Sequence, residues 1–386
     1  KRQNILKEFP SSKKIFFKED QVLKKGDILK QLDLAESLKE IQKNGRNGFY
    51  QNIASKIVKT SKQYGGLLTE NDFKNYNVVW REPVYGEYRG SKIFSMPPPS
   101  SGGVHLIEML NILENVPLNK IKNQSTEMIH LITQAMQQAY ADRAAHMADS
   151  DFIKVPLKEL ISKEYAASKF LDFKNQARKA ESVQAGNFEK KEPTQTTHFS
   201  LIDEQGNMIS STQTINGWLG SGLVAEGTGI LLNNEMDDFS TKPNALNYFG
   251  AVGSDKNLVE PQKRPLSSMT PTLVIGNDGK SLVALGTVSG TEIINCVLSV
   301  LIQHLDYRES LFAAIEKKRF HNQWKPDILY VEKNLLSQKQ ESLLAQMGYK
   351  IQERASGCKV QAVERNAKEE LIGASDSRGE GLAKGL

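Results

Sequence analysis

Residues 196–216 read TTHFSLIDEQGNMISSTQTIN, two runs that alternate polar and apolar residues around the turn Asp203-Glu204-Gln205-Gly206-Asn207. That pattern predicts a β-hairpin over Thr196–Ile202 and Met208–Asn216. A threonine opening a strand is usually structural, since Thr-rich strand starts are common. Its hydroxyl is a nucleophile only with a base beside it. Scission of the Gln195–Thr196 bond would create that base. The new α-amine has a reference pKa near 7.7–8.0 and is partly neutral at working pH.

Outward from the hairpin, the chain divides by pattern. Ahead of it lie helical patterns: a helix capped by Asp33 with Leu34, Leu38 and Ile41 on one face and a stop at Gly45, and another around Ile53, Ile57 and Val58. Thr69 with Asp72 forms a capping-box pattern. Residues 1–29 read as a polar connector. Strands are expected between Val78 and Ser95, broken at Gly86 and Gly90. The loop Pro97-Pro98-Pro99-Ser100-Ser101-Gly102-Gly103 then runs into an apolar helix, and a second helix spans about Ser125–Met147. Residues 171–195 are polar, as a cleavable linker would be.

Behind the hairpin, Thr272–Ile275 and Ser281–Leu285 predict a second hairpin. The turn Val288-Ser289-Gly290 leads into an apolar helix, Thr291–Leu305. Helices are expected around 309–319 and 337–347, and strands at 349–353, 359–365 and 371–374. Strands neighbour strands and helices neighbour helices, which indicates a layered α+β domain.

Composition bounds the function. The chain has 386 residues, 39% hydrophobic and 25% charged, with a net charge of +5. This suits a globular core, and no basic run interleaves with aromatics as a nucleic-acid surface would. No stretch reaches the length of a membrane span. The two cysteines, Cys296 and Cys358, show neither metal spacing nor a disulfide framework, and Cys296 reads as core.

Acyl transfer needs a nucleophile, a base, oxyanion donors and a substrate pocket. Val288-Ser289-Gly290 before a helix offers backbone N–H groups for an oxyanion, or is simply a glycine turn. Asn233-Asn234-Glu235-Met236-Asp237-Asp238 could bind an ammonium or be a solvated acidic turn; without a nearby histidine it makes a poor metal site. Ser267-Ser268 could donate to a carboxylate or be a turn pair. His198 and His321 read as hydrogen-bonded structural residues.

Six segments together carry a resemblance: Met96-Pro-Pro-Pro-Ser-Ser-Gly-Gly103, Tyr140-Ala-Asp-Arg143, Thr196-Thr-His198, Gly227-Thr-Gly-Ile-Leu-Leu-Asn-Asn-Glu-Met-Asp-Asp-Phe-Ser240, Lys263-Arg-Pro-Leu-Ser-Ser-Met269 and Gly373-Ala-Ser-Asp376. In this order and spacing they resemble the γ-glutamyltranspeptidases of the N-terminal-nucleophile hydrolase superfamily. The resemblance implies a four-layer αββα sandwich and a precursor that cuts itself between Gln195 and Thr196, giving subunits 1–195 and 196–386. It implies a glutathione hydrolase or γ-glutamyl transferase acting on a γ-glutamyl amide and an amino-acid or peptide acceptor. It implies no cofactor or metal, and a periplasmic or secreted location.

Carried over by position, Thr196 is the nucleophile and Thr214 orients its hydroxyl. Asn216, Glu235 and Asp238 hold the substrate α-amino group. Ser267 and Ser268 contact its α-carboxylate or amino end, and the N–H groups of Ser289 and Gly290 form the oxyanion hole. The family's Pro-Gly-Gly is Val288-Ser289-Gly290 here, so Ser289 must take up a glycine's dihedrals, at a cost if φ is positive. Phe249, beside Tyr248, replaces the lid tyrosine. The family also has further large-subunit sequence ahead of Lys1, with a carboxylate-pairing arginine that no arginine here matches. The chain is therefore expected to be the C-terminal portion of the large subunit plus the small subunit, or a degenerate relative. The alternatives are a related acylase, a poly-γ-glutamate depolymerase, or an inactive homologue serving as a binding partner.

Overall fold

The computed structural model describes residues 3–183, 196–242 and 254–385. Gln195, Tyr248 and Phe249 lie outside these residues. The chain forms two compact units, one of Lys1–Arg81 with Ile215–Glu235 and a larger one of Glu82–Thr214 with Met236–Leu386. Each unit draws on sequence from both sides of Thr196.

In the larger unit the elements that matter are, in chain order, strands β1 (Val84–Tyr88), β2 (Ser91–Ser95), β3 (Thr196–Ile202), β4 (Met208–Thr214), β5 (Thr272–Ile275), β6 (Leu282–Gly286), β7 (Gln361–Arg365) and β8 (Leu371–Ser375). The main helices are α1 (Gly102–Glu114), α2 (Thr126–His146) and α3 (Glu292–Leu305). An antiparallel six-stranded sheet runs β8-β7-β6-β5-β2-β1. β3 and β4 form a separate hairpin with Thr196 registered against Thr214.

β6 is buried along its whole length because layers cover both of its faces. Val283 and Leu285 point into a core shared with Leu106 and Met109 of α1, Ile132 and Met136 of α2, and Ile294 and Val297 of α3. Burying each such aliphatic side chain contributes roughly 1.5–3 kcal/mol. By alternation Ala284 and Gly286 face the other way. Their small size lets the β3–β4 hairpin lie close: a Cβ at Gly286 would fall 2.3 Å from Cε1 of His198. Ser210 stitches the layers together, donating to the Leu285 carbonyl (2.9 Å) and accepting from Thr272 N (3.0 Å). Helices, sheet and hairpin are thus the successive layers expected of an α+β sandwich.

Several local expectations are corrected. Gly86 does not break a strand; it sits within β1, where its missing side chain admits Ile107. Cys296 and Cys358 are bonded to each other, although they lie 62 residues apart. Cys296 is on α3 and Cys358 lies just before β7, so only the tertiary fold brings them together. Among the described residues, one group of side chains has metal-ligand proximity, Glu292 with these two cysteines, and its sulfurs are joined in the disulfide. The connector at 1–29 contains helices Gln3–Glu8 and Pro10–Phe16. The parallel pairing of Leu329–Val331 with Ile351–Glu353 was not foreseen in the sequence.

In the smaller unit a helix spans Leu32–Asn47, and Gly45 (φ 55°) kinks it where a stop was expected. Leu38 is exposed, not on a buried face. Ile53, Ile57 and Ala225 form the core, with Ile41 and Phe73 packed against it. Ser12 and Ser37 donate to the carbonyls of Gly222 (2.7 Å) and Thr228 (2.8 Å), tying the 215–235 segment to the N-terminal helices. The capping box forms as expected, with Asp72 accepting from both the N–H and the hydroxyl of Thr69.

Candidate active site

Thr196 is the first described residue after 183 and is partly buried at the start of β3. Its hydroxyl lies 3.4 Å from that of Thr214. This is looser than the usual 2.7–2.8 Å of an O–H···O bond, so the pair is close but not clamped. Thr196 and Val288 line one cavity of about 490 Å³, together with Gln361 of β7 and tail residues including Glu380 and Lys384. The nucleophile candidate and the first residue of the candidate oxyanion turn therefore meet in one space.

That turn has the conformation its sequence makes costly. Ser289 adopts φ 118° and Gly290 φ 52°. For serine this is a sparsely populated region, worth about 1–3 kcal/mol of strain that the surroundings must hold. The carbonyls of Ser289 and Gly290 accept from Glu292 N (3.1 Å) and Ile293 N (3.2 Å), which joins the turn to the first residues of α3. Buried Tyr140 donates its hydroxyl to the Thr291 carbonyl and braces the same turn from α2.

The serine pair is built into a buried polar cluster. Ser267 forms a parallel bridge with Ser100: its N–H donates to Pro99 O (3.0 Å), and its carbonyl accepts from Ser101 N (2.9 Å) and the Ser101 hydroxyl (2.9 Å). Met269 N donates to the Ser267 hydroxyl at 3.1 Å. Arg143, 3% exposed, donates Nη2 to the Ser268 hydroxyl (3.0 Å) and Nε to the Ser101 hydroxyl (2.9 Å). Burial pulls the Arg143 guanidinium below its ordinary pKa, and the Asp238 carboxylate opposes that shift.

Asp238 is buried at the end of a 3₁₀ turn, Glu235–Asp238. Asn257 links it to the serine segment, donating Nδ2 to Asp238 O (2.9 Å) and accepting Leu266 N at Oδ1 (3.1 Å). Asn257 drew no attention in the sequence, and Arg143 did so only as part of a motif. The signal for Arg143 was an arginine in an alanine-rich buried helix.

In the smaller unit Asn216 lies beyond the end of β4, at φ 67° and 2% exposed. Its amide donates to Asn234 O (3.0 Å), while Asn234 Oδ1 accepts from Gly217 N (2.7 Å). Glu235 N donates to Asn233 Oδ1 (2.9 Å). The amides of the Asn-Asn-Glu run therefore shape the backbone around Glu235.

The two histidines read from the sequence as structural are each held by hydrogen bonds, and His198 also lines the Thr196 cavity. His198 is bonded to the hydroxyls of Thr212 (2.8 Å) and Ser200 (3.0 Å), and His321 to Asn295 (2.7 Å) and Gln323 (3.0 Å). Burial lowers each to a pKa of about 4, so both are neutral at pH 7.

Comparison with known proteins bears on the fold and the family. A cephalosporin acylase from Bacillus halodurans superposes over all of this chain and 69% of its own with a TM-score of 0.83 at 23% identity, which establishes the shared fold. The glutathione hydrolase proenzyme of Escherichia coli strain K12 is 43% identical over 377 residues, 97% of this chain and 64% of its own length. Acylase ACY 1 proenzyme of Pseudomonas sp. strain V22 is 37% identical over 304 residues, 78% of this chain and 51% of its own. The chain thus spans a little under two thirds of the glutathione hydrolase relative. The family model for gamma-glutamyltranspeptidase matches residues 1–386, and the chain belongs to the gamma-glutamyltranspeptidase family.

Proposed function

We propose that this chain carries the nucleophile and part of the substrate site of a self-processing γ-glutamyl transferase/hydrolase. The observation that carries the reading is the cavity lined by both Thr196 and Val288, the residue next to the two candidate oxyanion donors. Cleavage at Gln195–Thr196 would separate subunits 1–195 and 196–386 and free the Thr196 α-amine as base. Thr196 Oγ1 would attack the γ-carbonyl, and the Ser289 and Gly290 N–H groups would stabilise the oxyanion. The amine portion would leave, and water or an acceptor amino acid or peptide would take the γ-glutamyl group from Thr196. Thr214 would orient the nucleophile. By position in the family motifs, Asn216, Glu235 and Asp238 would bind the α-amino group, and Ser267 and Ser268 the α-carboxylate or amino end. All of these steps run on protein groups alone.

No described helix is long and apolar enough to cross a membrane. We place the protein in the periplasm or outside the cell, a reading the Cys296–Cys358 disulfide supports, because such bonds persist in oxidising compartments.

Mass spectrometry of the purified full-length protein is expected to show a fragment beginning at Thr196, and Thr196→Ala to abolish it along with hydrolysis of γ-glutamyl-4-nitroanilide. An intact wild-type chain after prolonged incubation would refute the reading. The acylase relatives favour one alternative, an amide hydrolase that does not require the α-amino group. Faster turnover of a glutaryl amide than of the γ-glutamyl amide would select it.

A further inference from the structure

We propose that Arg143 is a positioning residue for the substrate, a buried guanidinium that holds Ser267 and Ser268 with their hydroxyl protons directed at an α-carboxylate. The inference rests on the reading of the serine pair as substrate ligands and adds the residue that holds them in place.

Hydrogen-bond valence carries the argument. A serine hydroxyl has one proton to donate and two lone pairs. The Ser268 hydroxyl accepts from Arg143 Nη2, and the Ser267 hydroxyl from Met269 N. Each proton must therefore be donated elsewhere, and among the described residues no acceptor is recorded for either. Ser101 shows the contrast. Its hydroxyl accepts from Arg143 Nε and donates its proton to Ser267 O. One guanidinium thus fixes Ser268 through its side chain and Ser267 through its backbone. The two unclaimed protons on adjacent residues supply a pair of donors that a carboxylate can accept, and the guanidinium behind them disfavours an ammonium at the same place.

Charge points the same way. Arg143 is buried, and among the described residues its hydrogen-bond partners are neutral hydroxyls, with no carboxylate in ion-pair contact. A buried cation without a carboxylate in ion-pair contact is costly, the Asp238 charge offsets that cost only in part, and an arriving anion relieves it further. A carboxylate bonded to Ser268 would lie within about 6 Å of the guanidinium, close enough to feel its charge through the polarised hydroxyl.

The test uses the mature full-length enzyme and two substrates, γ-glutamyl-4-nitroanilide and 4-aminobutyryl-4-nitroanilide, which lacks the α-carboxylate. Arg143→Gln is expected to raise KM for the first by about 10- to 100-fold with little change in kcat, and to leave kcat/KM for the second within about 3-fold. Arg143→Lys, which keeps the charge, is expected to recover part of the loss. An equal loss on both substrates, or an unchanged KM, overturns the proposal. If Arg143→Gln does not fold, Ser101→Ala removes one brace alone; a KM rise confined to the carboxylate substrate supports the proposal and its absence overturns it. Failure of the wild type to turn over γ-glutamyl-4-nitroanilide would instead overturn the underlying reading of function.

Discussion

Replacing Gly286 by alanine tests whether the contact between sheet and hairpin positions Thr196, the proposed nucleophile. An added Cβ would lie 2.3 Å from Cε1, 2.6 Å from Nδ1 and 2.8 Å from Nε2 of His198. Carbon contacts are comfortable near 3.5 Å, so ring or strand must retreat by about 1 Å. The ring cannot swing aside freely, because both nitrogens are bonded to hydroxyls of its own hairpin. Overpacking of this kind costs about 1–3 kcal/mol, and breaking one of those hydrogen bonds adds about 1 kcal/mol. We therefore expect Gly286→Ala to destabilise the protein by about 2–4 kcal/mol. If the hairpin moves as a body, Thr196 moves with His198, which lies on the same face of β3. A displacement near 1 Å at a nucleophile costs on the order of 100-fold in rate. Denaturant titration and γ-glutamyl-4-nitroanilide turnover read the two effects. His198→Ala in the Gly286→Ala background vacates the space and should recover at least about 1 kcal/mol in a double-mutant cycle. A Gly286→Ala protein of wild-type stability and rate, or an additive cycle, would refute the reasoning.

At the turn proposed for the oxyanion, Ser289→Gly should be more stable than Ser289→Val by about 2 kcal/mol or more, since a β-branched residue tolerates φ 118° least; equal thermal midpoints would contradict this. Opening the Cys296–Cys358 bond in a Cys296→Ser/Cys358→Ser variant frees a 62-residue separation and should cost about 4 kcal/mol by loop entropy, read as a lowered thermal midpoint. Burial depresses His105 to a pKa of about 3, and His198 and His321 to about 4. Stability from such groups is present above the unfolded pKa of about 6.5 and is lost as pH falls toward the folded values. The urea midpoint should therefore drop between pH 6.5 and 4, and His198→Gln should flatten that slope; a pH-independent midpoint would show that the histidines are not held neutral.

Local order explains most of what could be read from the chain. The β3–β4 hairpin, the capping box at Thr69, helices α1 to α3 and the strands β5 to β8 follow from periodicity, turns and caps within a few residues of each other. The positive φ of Ser289 was raised as a possibility only through the family resemblance, whose motif has glycine there. Gly86 misled because glycine in isolation reads as a breaker, while here it makes room for Ile107.

The sequence by itself determined the α+β class, the family and the position of Thr196 at the start of a strand. Tertiary structure alone decided the rest. It joined Cys296 to Cys358, set His198 against Gly286, and placed Arg143 of α2 behind Ser101 and Ser268. These contacts link residues far apart in the chain, and no local propensity encodes them. A buried arginine and a pair of serines acquire their meaning only when the direction of each hydrogen bond between them is known.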